Sequence, residues 1–265
     1  MSLRFAAVLL LTALAACSAN ETANPTSVPT DPRVDATIAN MTSRYDALLA
    51  TCDHKGLFAL AYLRTTEEYR SAAAEPGFFH DPAYLNDEDT LFAKYYFDHI
   101  DHWTQGEIDT VPAAWSIAFQ ASDDRSVSTL GDAILGISAH INQDLPFVLA
   151  TLGLRDAQGN SRKADHDKVN VFLARVSFTE DIREHWDATY DVDYQTGLPT
   201  IEAWREQAWQ SAETLVDATT PEARAKAEAD IASNAEQTAT ALFALSKYMN
   251  GDSSATRDAY CASRR

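Results

Sequence analysis

Apolar residues recur every three or four positions along almost the whole chain after residue 33. This spacing places apolar side chains on one face of an α-helix, whereas a half-buried β-strand would alternate apolar and polar residues. No stretch shows a convincing alternation of that kind. About 230 residues are enough for one sizeable core. We therefore predict an all-α single domain over residues 34–265, with about seven helices that begin near residues 34, 54, 81, 126, 164, 199 and 221.

The predicted helix from His54 to Arg70, "HKGLFALAYLRTTEEYR", differs from the others because its apolar residues point in nearly all directions around the axis. Such a helix is typical of the centre of a domain, where other helices surround it. It also carries Arg64 and Glu68 at i,i+4 spacing, with Glu67 between them. We expect a central buried helix that brings acidic groups into a largely enclosed region.

A second unusual segment is "GISAHINQDLPFVLA", residues 136–150, where His140 and Asp144 interrupt an apolar run. Their i,i+4 spacing places them together on one helix face, which helical phase directs inward. Gly136 leaves room beside that face, and Pro146 removes a backbone donor next to Asp144. Since buried titratable groups are costly unless they are paired or bound to metal, the segment predicts either a polar network or a site.

Titratable residues in other predicted helices offer partners for this pair. His99 lies in "FDHIDHW", and His166 lies in "ADHDKVN" at the start of a helix. Histidine and carboxylate ligands at i,i+4 can share a divalent metal such as zinc on one helix face. A lone His-x-x-x-Asp pattern is much less specific than a full zinc signature, so a histidine that is simply held by a carboxylate remains the alternative.

Several segments together resemble an uncharacterised bacterial family of unknown function, DUF5995. They are a Tyr-Leu-Arg-x-Thr-Glu helix at Tyr62–Glu67, an aromatic segment at Phe92–Phe97, the Ala-His-Ile-Asn-x-Asp-Leu-Pro motif at Ala139–Pro146, and an Asp-rich segment at Asp165–Asn170. The resemblance implies a helical fold and brings no established activity. It groups Arg64 and Glu67 with the central motif.

Two hypotheses about function follow. In the favoured one, the protein is a non-catalytic envelope or binding protein in which His140 and Asp144 belong to a buried polar network. The further network members are Arg64, Glu67, Glu68, Asn142 and Asn170. In the alternative, it is a metal-dependent hydrolase, for example of phosphoesters, with a metal-activated water. The catalytic residues would then be His140, Asp144 and Glu67, and the metal ligands would come from His140, Asp144, His166 and His99.

The first 16 residues have the layout of a secretory signal, with Arg4 before an apolar run that is too short to cross a bilayer. The segment "LAAC" at residues 14–17 resembles a bacterial lipobox, in which Cys17 would be lipidated. An ordinary cleaved signal is the alternative. Ser18 implies sorting to the outer membrane, facing the periplasm. Residues 17–33 are rich in Pro, Thr, Ser and Asn, which predicts a flexible tether.

The other two cysteines, Cys52 and Cys261, become a natural disulfide pair if the chain is exported to an oxidising compartment. Two free buried thiols are the alternative. The bond would tie the C-terminal tail to the beginning of the domain.

The net charge of −18 repels phosphate backbones and anionic lipid surfaces. We therefore expect no nucleic-acid partner, and we expect contact with the membrane only through the N-terminal lipid. The sequence leaves a small-molecule or protein partner open.

Overall fold

The computed structural model describes residues 30–247 and 254–265, which form an α-helical domain without a β-strand. The signal sequence, Cys17 and nearly all of the predicted tether lie outside these residues. The all-α prediction is confirmed. The helices are α1 (Pro32–Thr51), α2 (Gly56–Ala73), α3 (Pro82–Gln105), α4 (Ala113–Asp123), α5 (Thr129–Ala139), α6 (Leu145–Leu152), α7 (Lys163–Leu173), α8 (Thr179–His185), α9 (Leu198–Asp217), α10 (Pro221–Ser246) and α11 (Ser254–Ser263).

The eleven helices in the described residues exceed the predicted seven for two reasons. Two predicted segments are divided: a π turn separates α5 from α6, and the loop after Leu173 separates α7 from α8. In addition, α4 and α11 were not predicted. All of these elements are short, and a short helix offers too few turns for apolar periodicity to identify it.

Helix starts agree with the capping signals in the sequence. The Asp81 side chain accepts a hydrogen bond from the backbone N–H of Tyr84, and Pro82 occupies the first turn of α3. Thr220 caps α10 in the same way, with its hydroxyl 3.1 Å from the backbone nitrogen of Ala223. Polar side chains that satisfy the free N–H groups, followed by a proline, are strong helix-start signals.

Helix α2 is the centre of the domain, as the sequence predicted. Its apolar side chains are buried on all sides, and it packs against α1, α5 and α7. The contact with α5 requires Gly136, since a Cβ atom there would lie 2.4 Å from the ring of Phe58. This close approach brings Phe58 against His140, with ring centroids 5.8 Å apart.

The C-terminal helix α11 is attached to the beginning of the domain. Cys52 and Cys261 form the predicted disulfide, with Cα atoms 6.0 Å apart. Beside it, the buried Arg257 guanidinium lies 3.0 Å from the Asp132 carboxylate of α5. Covalent and ionic contacts thus hold α11 on the core.

Within the described residues, none of the helices combines the length and the hydropathy needed to cross a bilayer.

Candidate functional site

The motif that interrupts the core is a π turn. Residues His140–Asp144 continue from α5 into α6 with the wider π hydrogen bonding, in which the backbone N–H of Leu145 donates to the carbonyl of His140. Pro146 follows and has no N–H to donate, so the regular α-helical ladder is interrupted here. The turn keeps His140 and Asp144 on one side, as predicted. Single π turns inside α-helices are frequent at functional sites.

The Asp144 carboxylate is buried and accepts three hydrogen bonds from three elements. Its Oδ2 atom lies 2.9 Å from His140 Nδ1 and 2.9 Å from Trp115 Nε1 of α4, and its Oδ1 atom lies 3.1 Å from His99 Nε2 of α3. Burial alone would raise the pKa of Asp144, but the hydrogen bonds from His140 and His99 outweigh it, and the pKa lies below its usual value. Asp144 is therefore an ionised acceptor.

The same contacts determine the tautomer and the protonation state of the His140 ring. Because an ionised carboxylate can only accept, Nδ1 of His140 carries the proton. Burial holds the pKa of His140 below its usual value, against the opposing effect of Asp144, so the ring is neutral. Its Nε2 atom is then an acceptor, and this atom has no hydrogen-bond partner among the described residues. The ring stacks on Phe92, with centroids 3.4 Å apart, and meets the ring of Tyr62 at 4.5 Å.

His140 lines a cavity of about 100 Å³ between α2, α3, α5, α7 and α9. Most of the lining is apolar. Five lining residues are partly exposed, and the cavity approaches the surface beside them: Thr65, Asp89, Phe92, Ile137 and Tyr194. Seven aromatic rings contribute to its wall: Phe58, Tyr62, Tyr69, Phe92, Phe172, Phe178 and Tyr194.

Sequence reasoning missed two acidic residues of this cavity, Glu88 and Asp89 of α3. Glu88 Oε2 and Asp89 Oδ2 are buried and have no hydrogen-bond partner in the described part of the chain. Burial raises the pKa of both carboxyl groups. The sequence contained a signal that Glu88 is buried. Glu88 follows Leu85 by three positions and precedes Phe92 by four, which places it on the apolar face of the helix.

Arg205 of α9 also lines the cavity and was not predicted. Its Nε donates to Asn170 Oδ1 at 3.0 Å, and one terminal nitrogen donates to the backbone carbonyl of His166 at 2.9 Å. His166 in turn donates from Nε2 to the carbonyl of Arg205, at 3.1 Å. Two residues predicted for the central site, His166 and Asn170, therefore join α7 to α9 instead.

The other predicted network members have partners away from His140. Arg64 pairs with Glu67 at 2.8 Å and with Asp181 of α8, rather than with Glu68 as the i,i+4 spacing suggested. Glu68 lies 3.6 Å from Arg175. Among the described residues, none of these groups forms an ion pair with His140. Arg64 instead donates to both carboxylate oxygens of Asp181 on α8.

Asn142 lies within the π turn and bonds locally. Its side-chain amide donates to the backbone carbonyl of Ser138 at 3.0 Å, one turn earlier in the chain. It stabilises the turn and does not contribute to the Asp144 cluster.

Of the predicted metal ligands, the structure brings together His140, Asp144 and His99 but not His166. In the described ranges, no group of three or more His, Cys, Asp or Glu side chains is arranged to hold a metal ion. Both oxygens of Asp144 accept hydrogen bonds, so three of the roughly four acceptor positions of this carboxylate are already used by His99, Trp115 and His140.

A family model described as "Family of unknown function (DUF5995)" matches residues 34–245. The chain is a DUF5995 protein. The match includes the central helix, the π turn and every residue that lines the cavity, whereas α11 and its disulfide partner Cys261 lie beyond the DUF5995 region. No curated protein and no solved structure matches the chain.

The neutral state of His140 predicts a pH dependence. Its folded pKa lies below the unfolded value of 6.5, so its contribution to stability is present above pH 6.5 and is lost as the pH falls. We expect the difference in unfolding free energy between wild type and His140→Asn to shrink from pH 7.5 to pH 5. The limit for one proton is about 1.4 kcal/mol per pH unit.

Urea unfolding at several pH values measures this difference. The matched control is His102→Asn, because His102 lies on α3 with 41% of its side chain exposed. A His140→Asn difference that stays constant over this range would contradict the assignment of a neutral, depressed histidine.

Proposed function

We propose that this protein is an exported, lipid-anchored binding protein of the cell envelope that holds a small, largely apolar molecule in the cavity beside His140. The observation that carries the proposal is the cavity itself. Ligand sites are typically concave and mostly apolar, with a few polar groups that orient the ligand. The aromatic wall and the polar atoms of His140, Glu88 and Asp89 fit that description.

Three polar atoms at the cavity have no hydrogen-bond partner among the described residues, which favours binding of a ligand that can supply one. A buried donor or acceptor without a partner costs free energy, and most such groups in folded proteins are satisfied by protein or water. Here His140 Nε2, Glu88 Oε2 and Asp89 Oδ2 line or adjoin the same space. A ligand with one polar end would satisfy them. An engineered cavity of about 150 Å³ admits benzene, so a space of this order suits a small molecule or one end of a longer one.

The metal-dependent hydrolase lacks comparable support. Glu67, its proposed base, is paired with Arg64 on the other side of α2, and Asp144 already accepts hydrogen bonds from His140, His99 and Trp115. We therefore favour a non-catalytic role.

The proposed location rests on the leader sequence, with Cys17 as the lipidated residue and Ser18 favouring the outer membrane, facing the periplasm. The Cys52–Cys261 disulfide supports export, because such bonds persist in oxidising compartments. The strongly negative charge argues against nucleic-acid partners and leaves the lipid as the contact with the membrane.

The location is tested on the full chain expressed in a bacterium with two membranes and purified without reductant. Mass spectrometry should find a mature chain that begins at Cys17 and carries a lipid, with a crosslinked peptide that contains Cys52 and Cys261. The Cys17→Ser variant should carry no lipid. A wild-type chain that starts at another residue and has no lipid would contradict the anchor, and two alkylatable thiols would contradict the disulfide.

Binding in the cavity is tested by ligand-observed NMR with a set of small apolar and amphiphilic molecules. Thr65→Trp places a large ring at the partly exposed edge of the cavity and should abolish binding of the compounds that bind wild type. Ser71→Trp, on the exposed side of the same helix, should leave their binding unchanged while circular dichroism verifies that both variants fold. No hits, or hits that bind Thr65→Trp normally, would rule out this cavity as the site.

A further inference from the structure

The charges around the cavity do not cancel. The ionisable side chains that line it are Glu88, Asp89, His140 and Arg205, together with three tyrosines. His140 is neutral, so ionised carboxylates at Glu88 and Asp89 would leave one negative charge beyond the single positive charge of Arg205. A charge away from water must be paired or neutralised.

Arg205 compensates Glu88 rather than Asp89. The guanidinium is the main charge that favours the ionised form of Glu88, whereas the nearby charge that acts on Asp89 is that of Glu88, which disfavours its ionisation. Arg205 is also fixed toward α7 by its bonds to Asn170 and to the carbonyl of His166. Asp89 is thus the uncompensated carboxyl group.

The rest of the wall suits a positive charge. Aromatic faces attract organic cations through the ring quadrupole, and desolvated sites strengthen this attraction. The rings of Tyr62 and Phe92 lie 5.9 Å apart at 69°, and those of Tyr69 and Phe172 lie 5.9 Å apart at 52°. Inclined rings that surround one space present several faces and edges to the same occupant.

We infer that the cavity binds a small alkylammonium ion, with the aromatic rings around its apolar part and the Asp89 carboxylate as its counter-ion. This inference rests on the proposed binding function and specifies the chemical class of the ligand.

Binding of a cation is coupled to a proton. Burial and the charge of Glu88 raise the pKa of Asp89, so without a cation the Asp89 carboxyl group holds its proton to a higher pH than an exposed aspartate does. An alkylammonium ion takes the place of that proton, which leaves to solvent, and the charge of the cavity is conserved. Affinity should therefore rise with pH as the proton becomes easier to remove. The titratable groups that interact with Asp89 are Glu88 on α3 and Tyr62 and Tyr69 on α2. The other titratable groups of the cavity wall are His140 in the π turn, Tyr194 and Arg205 of α9.

Calorimetry with matched pairs of probes tests the inference on the folded full-length domain. Choline is compared with its neutral carbon isostere 3,3-dimethylbutan-1-ol, and n-butylammonium is compared with 1-butanol. At pH 8 we expect each cation to bind about tenfold more tightly than its neutral partner, or better. Titrations in two buffers of different ionisation enthalpy should show that a proton is released when the cation binds.

Asp89→Asn should remove the preference for the cation and the proton release, while the neutral probes still bind. Asp87→Asn is the matched control, because Asp87 is a half-exposed residue of α3 that pairs with Arg33. Equal or tighter binding of the neutral probes by wild type would overturn the inference and leave the proposed function intact. Failure of all four probes to bind would overturn the inference, and the NMR screen would then decide the proposed function separately.

Discussion

The site depends on the Asp144 carboxylate. This buried anion accepts hydrogen bonds from His99 of α3, from Trp115 of α4 and from His140 in its own π turn, and so it joins three elements at one point. Removing one partner from a buried charged cluster costs several kcal/mol, because the remaining groups lose their compensation. The cluster therefore explains both why the core helix tolerates polar residues and how His140 is oriented.

The orientation of His140 also determines which of its ring nitrogens is available at the cavity. Because Nδ1 of His140 donates to Asp144, the opposite nitrogen is an acceptor, and it has no hydrogen-bond partner in the part of the chain that the structure describes. The ring lies between Phe92 and Tyr62. Helix α3 contributes to both features, since it carries His99 toward Asp144 and carries Glu88 and Asp89 toward the cavity. One helix thus connects the rigid polar cluster to the acidic side of the binding space.

The sequence predicted the elements that depend on local pattern: the helical class, the central helix α2, and the shared face of His140 and Asp144. It also predicted the Cys52–Cys261 pair, because only these two cysteines remain if Cys17 is lipidated. It did not predict the side-chain contacts between helices, which tertiary packing decides. Periodicity places Arg64 and Glu67 on a helix with buried residues, but it does not show that Arg64 pairs with Asp181 of α8. Glu88 follows the apolar spacing of its helix, and so does Arg205, which lies four positions after Ile201 and four before Trp209. The same test could have found both residues.

The central claim is the protonation state of His140, since both the Asp144 cluster and the binding site depend on it. Nitrogen-15 NMR of the histidine side chains, with the His140 signals assigned by their loss in His140→Asn, measures this state directly. At pH 7 we expect a neutral ring with the proton on Nδ1 and none on Nε2. A proton on Nε2, alone or in addition to Nδ1, would contradict the account.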